Sequence, residues 1–220
     1  MSSRSRRGHE PHKTFSKDFK GAKFRLGDNE HMNSLLLGGN GFIGSHLVDK
    51  LLASGHGVRV FDKYEEHYRK SIAGVEYFFG DFGNRGLVAK ALDNVDIVFH
   101  LISTTLPQTS NDDPVFDVQS NVVETLLLLE QCVARKIQKL VFFSSGGTVY
   151  GRPKILPISE DSPTNPECSY GITKLIIEKY LTRKISDQAK EDRIMEFNNL
   201  EKSLNLDKKR NKKNKPGHQH

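Results

Sequence analysis

At 220 residues with a formal net charge of +6, the chain has room for one α/β domain or two small ones, and its basic balance raises the question of nucleic-acid binding. Its two cysteines, Cys132 and Cys168, have neither C-x-x-C spacing nor a histidine cluster beside them. No metal site is therefore expected, and both read as free thiols of a reducing compartment. No apolar run reaches the length of a membrane span, and the amino terminus lacks the apolar centre of a secretory signal, so a cytoplasmic location is expected.

Residues 1–31 hold eight Lys/Arg against four Asp/Glu and few large apolar side chains, and they are expected to form a disordered basic extension. A folded dinucleotide-binding domain is expected over residues 32–185. Within it, Ser34–Leu37 is predicted as a strand, Phe42–Ala53 as a helix and Val58–Phe61 as a second strand. The charged segment KYEEHYRKS suggests a short helix, and VEYFFGD a third strand. RGLVAKAL then reads as a short helix, VDIVFHLI as a fourth strand, the stretch from Val115 to Arg135 as a long helix and KLVFFSS as a fifth strand. A final helix begins near Tyr170. From residue 186 the sequence becomes poor in aromatic and β-branched residues, with Ile194 and Phe197 remaining, and ends in DKKRNKKNKPGHQH, which reads as a disordered basic tail over 186–220.

Residues 182–220 carry eleven Lys/Arg against six Asp/Glu, which leaves a net −3 for residues 32–181. The basic character therefore belongs to the ends. A terminal charge run without stacking aromatics reads as a solvated tail, and nucleic-acid binding is not expected. Short apolar runs alternating with amphipathic segments are what a parallel sheet covered on both faces produces. The expected fold is α/β: a Rossmann-like doubly wound parallel sheet of about five strands in the order 3-2-1-4-5.

LLLGGNGFIGSHLV places Gly38, Gly41 and Gly44 at G-x-x-G-x-x-G spacing where the first strand turns into the first helix. Such glycines let backbone approach a pyrophosphate at a helix N-terminus. Asp62 ends the second strand about twenty residues on, where a carboxylate accepts hydrogen bonds from the adenosine ribose and repels a 2′-phosphate. Arg59 and Lys63 stand close enough in sequence to soften that repulsion, so NAD is favoured over NADP without being fixed. Asp81 closes the third strand at the same edge, either as a solvated strand end or as a contact to the adenine amino group.

VFFSSGGTVYG is followed by YGITK, which puts Tyr170 and Lys174 on one face of a helix. An ammonium beside a phenol favours the phenolate, as a general base requires. A Tyr–Lys pair on an amphipathic surface helix is the alternative.

Both motifs, in this order and separation, resemble the extended short-chain dehydrogenase/reductase family, above all its NAD-dependent sugar-nucleotide epimerases and dehydratases. The resemblance covers residues 33–181 through GGNGFIGSHLV, GDF, VFHLIS, SNVVETLLLLEQC, SSGGTVYG and SYGITK. It implies that Gly38, Gly41, Phe42, Ile43 and Gly44 line the pyrophosphate of NAD and that Asp62, with Lys63 beside it, holds the adenosine ribose. Asp81 and Phe82 would flank adenine, and Leu101 and Ile102 would lie along the cofactor's path. Lys174 would bind the nicotinamide ribose and tune Tyr170, the acid–base residue. The activity implied is UDP-glucose 4-epimerase-like: C4 of a UDP-hexose is transiently oxidised and then reduced on its other face. A dehydratase or reductase of the same family, and a non-catalytic dinucleotide-binding module or pseudoenzyme, are the alternatives. A homodimer through the long helix and the Tyr170 helix is also implied.

Two departures stand out. Where the family has a Ser or Thr five residues before the glycine of VYG, this chain has Gly146, leaving Ser145 or Thr148 to supply a hydroxyl. Loss of such a donor costs on the order of 10²-fold in rate. After Leu181 no sixth strand, nicotinamide loop or substrate lobe is recognisable, so the chain is expected to lack the carboxyl-terminal half of the family fold.

Overall fold

Strand β1 (Asn33–Leu37) holds Leu35, Leu36 and Leu37 fully buried, as a central strand covered on both faces requires. The computed structural model describes residues 31–65 and 70–183. After β1 come α1 (Phe42–Ala53), β2 (Gly57–Asp62), β3 (Glu76–Phe79), α2 (Arg85–Ala91) and β4 (Ile97–His100). Then follow α3 (Pro114–Asp117), a π-helical turn (Val118–Val123), α4 (Glu124–Ala134) and β5 (Lys139–Phe142). A last helix, α5, begins at residue 169 and runs through 183, where the described residues end.

The sheet is five-stranded in the order β3-β2-β1-β4-β5, with every pair parallel. The expected fold class and strand order are observed. Register aligns the carboxyl ends: Leu37 lies opposite both Phe61 and His100, Asp62 opposite Phe79, and His100 opposite Phe142. Everything that follows a strand is thereby delivered to one edge of the sheet, where α/β folds bind ligands.

One core cluster joins Leu35, Leu37, Phe61 and Val98 of the sheet to Val88 and Ala91 of α2 and Leu128 and Cys132 of α4. Burying a leucine or phenylalanine side chain in such a layer contributes about 1.5–3 kcal/mol. Val48 and Leu51 of α1 are buried as well, next to a tight strand-to-helix turn. Gly44 makes that turn possible, because a Cβ there would stand 2.5 Å from the Gly38 carbonyl oxygen and 2.6 Å from Gly39 Cα.

Several predicted segments are longer than the elements observed. Gly80–Asp81, Leu101–Ile102 and Phe143–Ser145 continue apolar or hydroxyl-rich runs but leave the ladder once the last parallel pair is made. The helix expected from Val115 to Arg135 is three consecutive pieces, with the π-helical turn breaking its phase. Asp113 caps it by accepting from the Phe116 amide at 2.9 Å, and Pro114 occupies its first turn. Of KYEEHYRKS, residues 66–69 lie outside the described residues, and the flanking positions are not helical. The expectations for residues 1–30 and for the tail from 186 also lie outside them.

Candidate active site

A cleft of about 620 Å³ opens along the carboxyl edge of the sheet. Gly38 and Gly41 form one end of its wall, with Asp62, Lys63, Asp81 and Phe82 beside them, and Leu101 and Ile102 continue along it. Eight of the residues singled out in the sequence therefore meet in one cavity. Gly38 has φ +85°, and a Cβ on it would lie 3.1 Å from the Ile102 amide nitrogen, so only glycine leaves this wall relaxed and open.

Gly41 is the N-cap of α1 and contributes no side-chain cap, and the first turn carries no acidic residue. Such a helix start offers N–H groups and a positive dipole end to an anion. Phe42 and Ile43 stand at this turn 66% and 54% exposed, outside the cleft wall, and Gly44 is committed to the strand–helix packing described above.

Asp62 is held in place by backbone. Its Oδ2 accepts from the Asn40 amide at 3.0 Å and its Oδ1 from the Tyr64 amide at 3.4 Å, while the Asn40 side chain donates to the Tyr64 carbonyl at 2.7 Å. Lys63 Nζ lies 3.3 Å from Asp81 Oδ2, both side chains being more than half exposed. Such a pair contributes little stability. The Gly83 amide, foremost, and Lys63 together hold the Asp81 carboxyl below its usual range. Arg59 does not reach the cleft wall: its guanidinium binds Glu76 at 2.6 Å and the Ala91 and Asp93 carbonyls, each at 2.7 Å. That side chain is tied to the α2 side of the sheet, and among the described residues Lys63 is the basic group in the cleft wall with Asp62.

The facing wall was not anticipated from the sequence. Phe116, Gln119, Ser120 and Glu124, from α3 through the start of α4, line it together with Ser103 and Thr104 after β4. Glu124 forms a 3.6 Å ion pair with Arg85. The only hint was SNVVETLLLLEQC, whose polar positions recur on one helical face.

Tyr170 and Lys174 lie on α5. Tyr170 is half-buried, and its amide donates to Ser110 Oγ at 3.0 Å. Lys174 is 4% exposed and its Nζ donates to the Phe143 carbonyl at 3.1 Å. The same ammonium lies 4.7 Å from the Phe142 ring centroid and 5.6 Å from that of Tyr170, within cation–π range. Burial lowers the Lys174 pKa to about 8, against the opposing influence of Asp117. Beside it His100 is buried, its Nε2 2.8 Å from Thr125 Oγ1 and its Nδ1 without a partner. Burial, followed by the Lys174 charge, lowers the His100 pKa to about 3 and keeps the ring neutral.

Ser145 and Thr148 belong to the turn after β5. The Ser145 carbonyl accepts from the Thr148 and Val149 amides at 3.1 and 3.0 Å, and the Thr148 hydroxyl turns back to the same carbonyl at 3.5 Å. Gly146 stands in open space, with nothing within 4 Å of an added Cβ. Among the described residues no three metal-ligating side chains cluster, and no helix is long and apolar enough to cross a membrane.

The chain matches the profile of the NAD dependent epimerase/dehydratase family over residues 34–191. It belongs to that family. A UDP-glucose 4-epimerase from Mycolicibacterium smegmatis is 38% identical over 157 residues, covering 68% of this chain and 50% of the relative. UDP-glucose 4-epimerase 2 from Arabidopsis thaliana is 35% identical over 158 residues, covering 66% and 45%. The solved structure of Thermus thermophilus UDP-glucose 4-epimerase in complex with NAD superposes with a TM-score of 0.64 at 35% identity, over 69% of this chain and 50% of that one. The Thermotoga maritima enzyme, solved with UDP-glucose, gives a TM-score of 0.64 at 32% identity over the same shares. The chain thus spans about half the length of the curated relatives it matches.

The residues present fit the cofactor of this epimerase/dehydratase family. The glycine-lined end beneath the α1 N-terminus admits a pyrophosphate, and Asp62 is already oriented by two amides to accept from ribose hydroxyls.

Proposed function

We propose that this chain provides the NAD-binding and acid–base half of a sugar-nucleotide 4-epimerase acting on a UDP-hexose, with residues 32–185 as its dinucleotide domain. The observation that carries this reading is the buried Lys174 ammonium beneath the Tyr170 ring, on a helix whose residues do not line the cleft but whose start is hydrogen-bonded to the loop after the cleft residues Ser103 and Thr104. When bound, NAD supplies a reversible hydride acceptor. Asp62 holds the adenosine ribose, and the wall formed by Leu101 and Ile102 excludes water along the cofactor's length. The Tyr170 phenolic oxygen takes the proton of the sugar 4-hydroxyl and later returns it, and Lys174 stabilises the phenolate while it exists. Because the proton and the hydride both come back, the net reaction is an isomerisation. Ser145 is the hydroxyl in this reading, since that of Thr148 is turned onto its own loop. Pairing of two copies through the 114–134 helix and α5 belongs to the same reading, supported by exposed Val115, Val133, Ile172 and Tyr180 on those elements.

One sample decides between this and a dinucleotide-binding module without turnover, a reading favoured by Gly146 at the hydroxyl position. Purified chain is given NAD in a calorimeter and then assayed for conversion of UDP-glucose to UDP-galactose. Binding with turnover that disappears in Tyr170→Phe supports the epimerase. Binding without turnover leaves the module, and no binding sinks both.

A further inference from the structure

We propose that Asp117 is a positioning residue, whose buried carboxylate ties the start of α5 to the cleft wall and sets where Tyr170 and Lys174 stand. The assignment of roles to those two residues rests on the function proposed above; the tie itself does not.

Asp117 ends α3 and is 0% exposed. Its Oδ1 accepts from the Thr105 hydroxyl at 2.5 Å and from the Asn121 side-chain amide at 2.8 Å. Its Oδ2 accepts from the Ser169 hydroxyl at 2.6 Å and lies 3.4 Å from the Thr173 hydroxyl, which also donates to the Tyr170 carbonyl at 2.9 Å. Thr105, Asn121 and Ser169 donate outright, Thr173 divides its one hydroxyl hydrogen between Oδ2 and the nearer Tyr170 carbonyl, and both carboxyl oxygens accept, which is the arrangement a buried acid needs when water is excluded. Without those donors a buried charge is costly, so the donors and the acid hold one another in place.

The placement of the partners on α5 is the telling part. Ser169 immediately precedes Tyr170, and Thr173 immediately precedes Lys174. Four residues apart, the two hydroxyls share one helical face, and the two functional side chains share the face about 100° round from it. Anchoring the first face therefore fixes the azimuth of the second. The loop leading into α3 adds two caps: Asn111 Oδ1 accepts from the Ser169 amide at 2.9 Å, and Ser110 Oγ from the Tyr170 amide at 3.0 Å.

The other side of the carboxylate reaches the cleft. Asn121 donates to Thr104 Oγ1 at 2.8 Å and accepts from the Thr104 amide at 3.0 Å, and Thr104 Oγ1 lies 2.6 Å from Ser120 Oγ. Thr104 and Ser120 both line the cleft. A continuous set of hydrogen bonds thus runs from the cavity wall through Asp117 to the residues beside Tyr170 and Lys174. Asp117 also counteracts the effect of burial on the Lys174 ammonium. Among the described residues, neutral His100 from β4 and Tyr170 one turn back on α5 also flank that ammonium, and Glu178, one turn on, accepts a bond from Ser144.

The test is amide hydrogen exchange on the full chain without nucleotide, comparing wild type, Asp117→Asn and Ser169→Ala. Both substitutions should speed exchange at residues 169–174 tenfold or more, while β1 and β4 exchange as in wild type. In Asp117→Asn, the Lys174 ammonium, followed by nitrogen NMR, should also titrate at lower pH than in wild type. Ser169→Ala decides the exchange result if Asp117→Asn does not fold. Unchanged exchange at 169–174, an equal rise in β1 and β4, or a Lys174 midpoint unmoved in a folded Asp117→Asn each overturns the proposal. NAD binding is then titrated on the same samples, so a failure of the functional reading shows separately.

Discussion

Lys174 Nζ donates to the Phe143 carbonyl at 3.1 Å, which fastens the middle of α5 to the residue that follows β5. The bond spans 31 residues and holds an ammonium in a site that is almost closed to water.

That site makes the pH response of Lys174 measurable. Its pKa is about 8 in the fold against an ordinary 10.5, so between these values the unfolded chain holds the proton and the folded chain does not. Stability from this group therefore rises as pH increases from 8 toward 10.5, with a slope of up to about 1.4 kcal/mol per pH unit. Cys132 opposes it from pH 9 upward, because burial raises its pKa to about 12 and the unfolded thiol ionises first. The clean window is pH 8–9. Urea unfolding there should show a positive slope that Lys174→Met flattens, and nitrogen NMR should give a lysine midpoint near 8.

His100 governs the acid side. Its pKa is about 3 in the fold against 6.5 in the unfolded chain, so below pH 6.5 only the unfolded state takes up the proton. Stability from this group is complete above 6.5 and is lost progressively toward 3. His100→Phe, which keeps a ring between Phe82 and Phe142, should remove that contribution. Denaturation midpoints at pH 7 and pH 5 should then differ less in the variant than in wild type.

Three glycines should separate packing from backbone strain. Gly44→Ala drives a Cβ into the Gly38 carbonyl and Gly39 backbone, neither of which can yield as a side-chain tip would. It should cost roughly 1–3 kcal/mol or prevent folding. Gly55 has φ +79° with nothing near its Cβ position, so Gly55→Ala should cost only the left-handed backbone penalty, about 1–2 kcal/mol. Gly38→Ala combines positive φ with a 3.1 Å approach to Ile102 at the cleft wall, and calorimetry should show weaker NAD binding as well as lower stability.

Gly146→Ser is sterically free, since nothing lies within 4 Å of the added Cβ. Its melting temperature should match that of wild type. If the epimerase assay detects turnover, the variant should match wild type, because Ser145 already supplies the hydroxyl in the reading above. A gain of tenfold or more, toward the ~10² that a transition-state hydroxyl is worth, would show that Ser145 does not supply it.

The strands and the cofactor end of the cleft were legible because their signals are local. Apolar runs mark a doubly covered sheet, and Gly38, Asp62 and Asp81 each sit within two residues of a strand's last paired position, where parallel register must gather them. The facing wall was not legible. Phe116 and Gln119 reach the cleft only because α3 and the π-helical turn cross the sheet edge, a contact between segments distant in sequence. Asp117 looked like one more acid in the polar stretch NDDPVFD, and nothing local distinguishes it from Asp113, which does cap a helix. Its burial depends on partners 52 and 56 residues away. Arg59 misled for the mirror reason: near Asp62 in sequence, it reaches in space toward Glu76 and the end of α2.

The π-helical turn at Val118–Val123 works as a phase adjuster between two obligations. Upstream of it, Asp117 must face α5; downstream, Thr125 must meet His100, and Leu128 and Cys132 must enter the core. A uniform α-helix advances about 100° per residue, whereas a wider turn takes up an extra residue without carrying that rotation forward. Removing one residue between 118 and 123 would therefore not simply shorten the helix. It would force a choice between anchoring the Tyr170 helix and filling the core beneath the sheet, so this stretch should tolerate substitution far better than deletion.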